Sequence, residues 1–259
     1  MSLRLLIAAA LFAAAPLAAA EPPPGSPPGI APAVAMTDRP ADAIKLDAGR
    51  KPVEVLKFLG LRRGDHVLDV MAGSGYYSEI IGNAIGAHGT VVALEPPQFL
   101  ASDPKAMDAW KALTARVPTV SLVAAMPADG HFAPASFDFV LMHLTYHDTY
   151  WASEKYKFPA MDPAAFLKTI FVAMRPGGIV GVVDHVANPG GDTRKVVDAL
   201  HRIDPAVVRA DFERAGFVFE AASPLLANPN DDHLKLVFDP AIRGQTDRFV
   251  YRFRKPAAR

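Results

Sequence analysis

The sequence predicts an α/β fold with a mostly parallel β-sheet covered by helices on both faces. From residue 66 onwards, short runs rich in β-branched residues alternate with helical patterns. These runs are continuously apolar, which is typical of strands buried on both faces. The chain has 259 residues, 51% of them hydrophobic, and is long enough for one such domain with a sizeable core.

The N-terminus has the features of a secretory signal peptide. Residues 1–20 contain one basic residue and a largely apolar stretch that ends in three alanines, so we expect cleavage before Glu21. An uncleaved membrane anchor is the alternative, but the apolar run is short and Pro16 interrupts it. Residues 21–35 are rich in Pro and Gly and are predicted to be a linker. The folded domain is therefore predicted to span residues 36–259.

Charge and cysteine content exclude several classes of function. The 27 basic and 27 acidic residues balance, which gives no reason to expect nucleic acid or an anionic membrane surface as a partner. The absence of cysteine excludes disulfides, zinc–thiolate sites and a cysteine nucleophile. With a cleaved signal peptide, we expect a periplasmic or secreted protein without stable membrane insertion; the sequence leaves the oligomeric state open.

The pattern predicts a helix first and then strands and helices in alternation. Pro52 suits the first turn of the first helix, and Gly60 suits its C-cap. The predicted strands lie at 66–70, 89–95, 119–126, 136–144 and 179–186, and the helices between them at 76–89, 104–115 and 163–174.

The last third of the chain departs from this alternation. A helix at 204–217 is followed by strands at 217–222 and 249–255, which are predicted to form a C-terminal antiparallel β-hairpin and bring the sheet to seven strands. The last strand alternates apolar and basic residues, which suits an edge strand. The insert at residues 222–246 is too long for a simple connection and is predicted to be functional.

The segment VLDVMAGSGYYSE, residues 67–79, predicts a nucleotide-type binding loop. Gly73 and Gly75 allow a ligand to approach the backbone at the start of a helix with free N–H groups. Asp69 precedes the glycines, and Glu95 ends the next strand, where a carboxylate accepts both hydroxyls of a ribose. The alternative is a tight turn flanked by two solvated acids.

The type of nucleotide follows from the residues around the glycines. A dinucleotide site favours a third glycine where this chain has Ser78, so a nicotinamide-dependent oxidoreductase is disfavoured. A carboxylate before the glycines repels a pyrophosphate but accepts bonds from an ammonium group. S-adenosylmethionine carries such a group.

The chain resembles the class I S-adenosylmethionine-dependent methyltransferases. The resemblance implies a Rossmann-like class I methyltransferase fold, methyltransferase activity and S-adenosylmethionine as the cofactor. More narrowly, the ending DDHLKLVFDPAIRGQTDRFVYRFRKP is similar to that of a group of proteobacterial predicted methyltransferases with signal peptides. The segments that carry the family resemblance are VLDVMAGSG (67–75), VVALE (91–95), SFDFVLMHLTYHD (136–148), MRPGG (174–178) and ERAGFVF (213–219).

The resemblance also implies roles for single residues. Glu95 would bind the ribose hydroxyls, and Asp69 would orient the loop and the ammonium. The family's first loop glycine is Met71 here, and the acid that often reads adenine falls near Met126, so Asp129 or a backbone carbonyl would serve instead. The methionine moiety would lie against Ala72, Gly73, Ser74 and Gly75, with His143 as a further cofactor contact.

Acids and histidines follow the fourth and fifth strands, on the rim that would face the transferred methyl group. His147, backed by Asp148, is the candidate base for an acceptor that must lose a proton; the alternative is that His147 only packs. We expect no metal and a hydrogen-bonding role for Asp184, although His143, Asp184 and His185 together offer an alternative cation site.

Two interpretations of the whole protein remain open at this point. The first is an exported methyltransferase that acts on a small-molecule or envelope-associated acceptor. The second is a non-catalytic exported module that keeps the fold and binds another ligand, since S-adenosylmethionine is made in the cytoplasm. The charged insert is either a lid that selects the acceptor or a salt-bridged plug.

Overall fold

The computed structural model describes residues 29–257. The predicted signal peptide and most of the predicted linker therefore lie outside the described residues. The strands are β1 (His66–Val70), β2 (Thr90–Glu95), β3 (Val120–Ala124), β4 (Phe137–His143), β5 (Met174–His185), β6 (Val218–Ser223) and β7 (Arg248–Arg254). The helices are α1 (Ile30–Val34), α2 (Ala41–Ile44), α3 (Asp47–Arg50), α4 (Pro52–Leu59), α5 (Tyr76–Ile85), α6 (Pro97–Ser102), α7 (Ala106–Arg116), α8 (Pro163–Ala173), α9 (Thr193–Leu200) and α10 (Pro205–Arg214), with 3₁₀ turns at Pro127–Asp129 and Tyr146–Tyr150.

The strands form one seven-stranded sheet in the order β3-β2-β1-β4-β5-β7-β6. The pairs β2–β3, β1–β2, β1–β4 and β4–β5 are parallel, and β7 is antiparallel to both β5 and β6. The order reverses at β1, which lies between β2 and β4, and ligands of such sheets bind outside the strand ends at this point. The predicted α/β class, the mostly parallel sheet and the C-terminal hairpin are confirmed.

Helices cover the sheet on both faces, so the fold has three layers. One apolar cluster joins Leu56 of α4, Ile80 of α5 and Trp110 of α7 to one face of the sheet. The other joins Phe166 of α8 and Phe212 of α10 to the opposite face. This double cover explains why the parallel strands are continuously apolar.

Two sequence expectations differ from the structure. The strand predicted as an edge, β7, lies between β5 and β6, and its basic residues are explained by Glu220 of β6, which pairs with Arg252 at 3.1 Å and with Arg254. Helix α1 falls within the predicted linker and buries Ala33 against the domain, so packed structure begins before residue 36. No helix among residues 29–257 is long and apolar enough to cross a membrane.

Candidate functional site

The glycine loop joins β1 to α5 and faces the end of β2. The N–H of Gly73 donates to Glu95 Oε2 at 2.8 Å, so the loop backbone and the acid lie together as predicted. Gly73 has φ +60, and a Cβ built on it meets no atom within 4 Å. The space over Gly73 is therefore open to a ligand, whereas the left-handed backbone restricts larger residues there.

Gly75 is required by the packing of α7 on the loop. A Cβ on Gly75 would lie 2.5 Å from Leu113 Cδ1 and 3.0 Å from a ring carbon of Trp110, so α7 packs directly on the backbone. The indole N–H of Trp110 donates to the carbonyl of Gly73 at 3.1 Å and holds the loop from the other side. Met71, where the family has a glycine, has φ +51, which explains why glycine suits that position.

Asp69 is buried beneath the loop and is satisfied from within the protein. The hydroxyl of Ser78 donates to Asp69 Oδ2 at 2.6 Å, so the serine that departs from a dinucleotide motif anchors the acid. Burial raises the pKa of Asp69 to about 6, although the Ser78 bond and the charge of Arg50 oppose the shift. Asp69 therefore supports the loop, and Arg50 is close enough to influence it.

Glu95 holds its carboxyl in a poorly solvated position. Its exposed fraction is 3%, and burial raises its pKa to about 8 against the opposing hydrogen bond from Gly73. The charges of Asp69 and Asp148 add to this shift, so Asp148 lies within electrostatic reach of the predicted ribose site. Two hydroxyl donors at this place would compensate the desolvated carboxylate.

The other predicted cofactor contacts divide into two kinds. Ala72 is half-buried and Ser74 is exposed, and both lie on the loop itself. Asp129 is exposed on the 3₁₀ turn after β3, and its side chain forms no hydrogen bond with any of residues 29–257. His143 ends β4 with its ring 4.6 Å from that of Tyr77, and its buried Nε2 has no hydrogen-bond partner among the described residues. Burial, with Arg50 and Arg248, lowers the pKa of His143 well below its usual value, so it is neutral.

The candidate base His147 is held by Asp184 rather than by Asp148. Asp184, at the end of β5, lies 2.7 Å from His147 Nδ1 and also accepts the backbone N–H of His147 at 2.8 Å. Asp148 lies on the other side of the ring, 3.4 Å from Nε2, and His201 Nδ1 is 3.3 Å from the same nitrogen. Sequence order placed His147 and Asp148 together, but it gave no sign that His201, 54 residues away, completes the cluster.

The histidines on this rim differ in charge. Burial by itself lowers the pKa of His147, but the charges of Asp184 and Asp148 outweigh it and raise that pKa to about 9. His147 therefore carries a proton at neutral pH in the absence of other cations. Burial lowers the pKa of His185 to about 3, and its Nδ1 lies 2.7 Å from Thr246 Oγ1.

The segment between β6 and β7 is both anchored and part of the site. Arg202 is fully buried and pairs with Asp231 through two bonds of 2.8 and 3.0 Å. Its remaining donors bind the carbonyls of Lys235 and Val186. This buried pair holds the insert down, as the plug interpretation requires, whereas Val237 of the same segment lines pockets that also include His147 and His185.

Two neighbouring pockets lie at this edge, with volumes of about 500 and 580 Å³. They share Leu144, His185, Val237 and Phe238 as a common wall. The first, called the arginine pocket here, is lined by Lys45, Arg50, Arg243 and Arg248 and by no acid. The second, called the histidine pocket, is lined by His147, Asp148, His201, Trp151, Phe99 and Tyr156, among others.

Part of the chain matches the sequence model of a known protein family. Residues 49–146 match the family model of protein-L-isoaspartate (D-aspartate) O-methyltransferase. The matched segment includes the glycine loop, Glu95 and the end of β4, and it covers less than half of the chain. Among curated proteins, no sequence relative matches.

Solved structures match the fold along most of the chain. A methyltransferase that depends on S-adenosylmethionine, from Aquifex aeolicus, is 19% identical over 83% of this chain and 97% of its own, with a TM-score of 0.57. The Burkholderia thailandensis 1,6-didemethyltoxoflavin-N1-methyltransferase, with 1,6-didemethyltoxoflavin and S-adenosylhomocysteine bound, is 18% identical over 85% and 80%, with a TM-score of 0.50. The [4+2]-cyclase SpnF is 17% identical over 82% of each chain, with a TM-score of 0.56.

At these identities the structural matches show the fold, which is that of the class I methyltransferases. The family match adds sequence similarity across the predicted cofactor loop. Together they support the enzyme class and the cofactor expected from the sequence, a class I methyltransferase that uses S-adenosylmethionine. They lend no support to a non-catalytic module, and they leave the acceptor to be inferred from the site.

Proposed function

We propose that the protein transfers the methyl group of S-adenosylmethionine to a small-molecule acceptor that carries an anionic group. The observation that carries this proposal is the arginine pocket, whose Arg50 lies within electrostatic reach of Asp69 beneath the glycine loop. Three of its guanidinium groups, those of Arg50, Arg243 and Arg248, form no ion pair with any carboxylate among residues 29–257.

The cofactor would lie over Gly73 with its ribose at Glu95. The open space at Gly73 and the desolvated carboxyl of Glu95 support this placement. When bound, S-adenosylmethionine supplies the electrophilic methyl carbon. Methyl transfer is an in-line displacement that depends on alignment, so the protein's main contribution is to hold the acceptor opposite the sulfur.

The arginine pocket is already partly desolvated, which favours an anion. Burial lowers the pKa of Arg50 and of Arg248, because each charged guanidinium has lost water without gaining a carboxylate partner. Arg248 satisfies part of its donor set with the carbonyls of Gly49 and Gly244. The nearby acids Asp47 and Asp247 are engaged elsewhere. A carboxylate, phosphate or sulfonate group would therefore form charge-assisted bonds there.

Cofactor binding is tested by calorimetric titration of the full chain with S-adenosylhomocysteine. We expect micromolar binding that Glu95→Ala abolishes and that Glu54→Ala, the loss of an exposed glutamate on α4, leaves unchanged. Equal affinity in wild type and Glu95→Ala would refute the ribose assignment.

The acceptor class is tested with matched pairs of compounds, such as hydroxybenzoates and hydroxybenzamides, in an assay for released S-adenosylhomocysteine. We expect the acids to be preferred by about tenfold or more, as charge-assisted bonds are worth about 1.5–3 kcal/mol. Arg243→Gln should reduce this preference, and Arg63→Gln, at an exposed position away from the pocket, should not. Equal rates with acids and amides would contradict an anionic acceptor.

The cofactor's own carboxylate is a second source of the same charge. If Arg50 binds it, Arg50→Gln weakens S-adenosylhomocysteine but not 5′-methylthioadenosine, which lacks the amino-acid portion. Because Arg243 is exposed and belongs to the insert rather than to the segment that precedes the glycine loop, we expect its substitution to leave both affinities unchanged. An effect of Arg243→Gln on cofactor affinity would assign the whole pocket to the cofactor.

We also propose that the protein acts in the periplasm or outside the cell, as a member of the signal-bearing group that its ending resembles. The apolar N-terminal segment and its alanine-rich end support export. Fusion of residues 1–25 to a reporter that is active only outside the cytoplasm tests it. An inactive fusion would place the enzyme with the cytoplasmic supply of S-adenosylmethionine.

A further inference from the structure

Three donor atoms meet at the edge of the histidine pocket in a near-equilateral triangle. His147 Nε2 lies 3.3 Å from His201 Nδ1 and 3.4 Å from Asp148 Oδ1, and the last two atoms are 3.7 Å apart. Two ligand atoms bound at about 2.1 Å to one tetrahedral ion are about 3.4 Å apart. The triangle therefore has the size of one face of a metal coordination shell.

We propose that His147, Asp148 and His201 bind a divalent transition-metal ion, and that zinc is the ion their donor set fits best. This site differs from the cation site that the sequence offered, because His143 and His185 take no part in it and Asp184 acts behind the ligands. The proposal does not depend on the identity of the methyl acceptor.

Both histidine ligands are oriented by neighbours that take no part in binding the ion. Asp184 binds His147 Nδ1 at 2.7 Å and so leaves Nε2 for the metal, which is the usual carboxylate–histidine–zinc arrangement. His201 is the C-cap of α9 in a left-handed conformation with φ +50. The rings of Trp151 and Phe238 pack on its imidazole at 5.2 and 5.1 Å and hold it there. Such a strained conformation persists where the surroundings enforce it.

The charge balance of the cluster also favours a divalent ion. Asp184 is fully buried and Asp148 is largely so, and neither pairs with a lysine or arginine among the described residues. Within this part of the chain the two carboxylates therefore lack a lysine or arginine counter-ion, and a bound cation would supply one. A divalent ion with both histidines neutral brings the sum to zero.

The donor set and the pocket indicate the kind of site. Two imidazole nitrogens and one carboxylate oxygen suit zinc and its neighbours, whereas magnesium and calcium prefer oxygen ligands. Three protein ligands leave at least one position free, as in catalytic rather than structural zinc sites. All three ligands line the histidine pocket, so the free position is accessible to an oxygen, nitrogen or sulfur atom of a pocket ligand.

The test is direct metal binding by the untagged full chain after removal of metals with a chelator. Cobalt(II) is titrated while its visible absorption is recorded, and zinc is then added in competition. We expect one equivalent of cobalt with an absorption band of a four- or five-coordinate ion, displaced by one equivalent of zinc. A cluster that is only hydrogen-bonded would produce no band, which would overturn the proposal.

Variants locate the site. His201→Gln and Asp148→Asn should each weaken cobalt binding by tenfold or more, and both positions are partly exposed, so the fold should tolerate them. His131→Gln removes an exposed histidine elsewhere and should change nothing. Wild-type affinity in both ligand variants would refute the assignment. Titration of the same samples with S-adenosylhomocysteine separates this outcome from a failure of the cofactor site.

Discussion

The raised pKa of Glu95 makes cofactor affinity depend on pH in a calculable way. Only the ionised carboxylate accepts bonds from both ribose hydroxyls, whereas the free protein holds a proton on Glu95 up to a pKa of about 8. Binding therefore weakens below that pKa, by about tenfold for each full pH unit. Between pH 8.5 and pH 7.0 the expected loss of affinity is about eightfold.

The assay is calorimetric titration with S-adenosylhomocysteine at intervals across this range. The range avoids Asp69, whose pKa is about 6, and stays below that of His147, about 9. Glu95→Gln should bind weakly with a flat profile. Asp148→Asn removes a charge that raises the pKa of Glu95, so its profile should move to lower pH. Tight binding by the wild type with no pH dependence would refute the reasoning.

The raised pKa of Glu95 also makes the stability of the free protein depend on pH, but in the direction opposite to cofactor affinity. Because the folded state raises the pKa of Glu95 above its usual 4.5, it binds the proton that the unfolded chain releases, and stability falls as pH rises from 4.5 to about 8. Glu95→Gln should therefore stabilise the free protein at pH 8, by about 1 kcal/mol or more, while it weakens the ligand. Chemical denaturation measures this directly.

Three further sets of substitutions test the framework of the site. Gly75→Ala should lower the free energy of unfolding in urea by about 1–3 kcal/mol, because its Cβ would overlap α7. Gly73→Ala should lower it by about 1 kcal/mol through backbone strain but abolish S-adenosylhomocysteine binding. The reverse pattern would exchange the roles of the two glycines. Arg202→Met should destabilise the protein by about 3 kcal/mol or more, and a second substitution, Asp231→Leu, should recover part of this loss. If the two substitutions destabilise the protein additively, the pair is not coupled. Ser78→Ala should cost about 1–2 kcal/mol in the same assay, and an unchanged stability would mean that the buried acid of β1 does not need its bond.

The parallel strands of the sheet could be predicted from the sequence, because strands buried on both faces are continuously apolar. It failed where a residue's environment depends on strands that are distant in the chain. Arg252 and Arg254 of β7 suggested an edge, but Glu220 across the hairpin pairs with both. Short helices such as α2 and α3, of four residues each, have too few turns to show a period.

The candidate site was likewise predictable only where local spacing or strand pairing determines it. The positions of Gly73 and Glu95 followed from the loop and from strand order, since both are fixed by local spacing and parallel pairing. The partner of His147 did not, because the end of β5 and the turn after β4 meet only in the folded sheet. Arg50 and Arg248 are nearly 200 residues apart in the chain yet line the same pocket, and no local sequence pattern predicts such a pair.

The arrangement of charge at this edge suggests how an acceptor would be oriented. His185 lies in the wall between the two pockets and is neutral, because its pKa is about 3. On one side of it the arginine pocket presents only cations, and on the other the histidine pocket contains Asp148 with Asp184 behind it. An acceptor with one anionic end is therefore drawn by that end into the arginine pocket, where no acid competes for the cations. Its uncharged end then lies towards the cofactor's methyl group and the proposed metal. Replacement of the arginines of the arginine pocket by neutral residues should therefore lower turnover more than it lowers cofactor affinity.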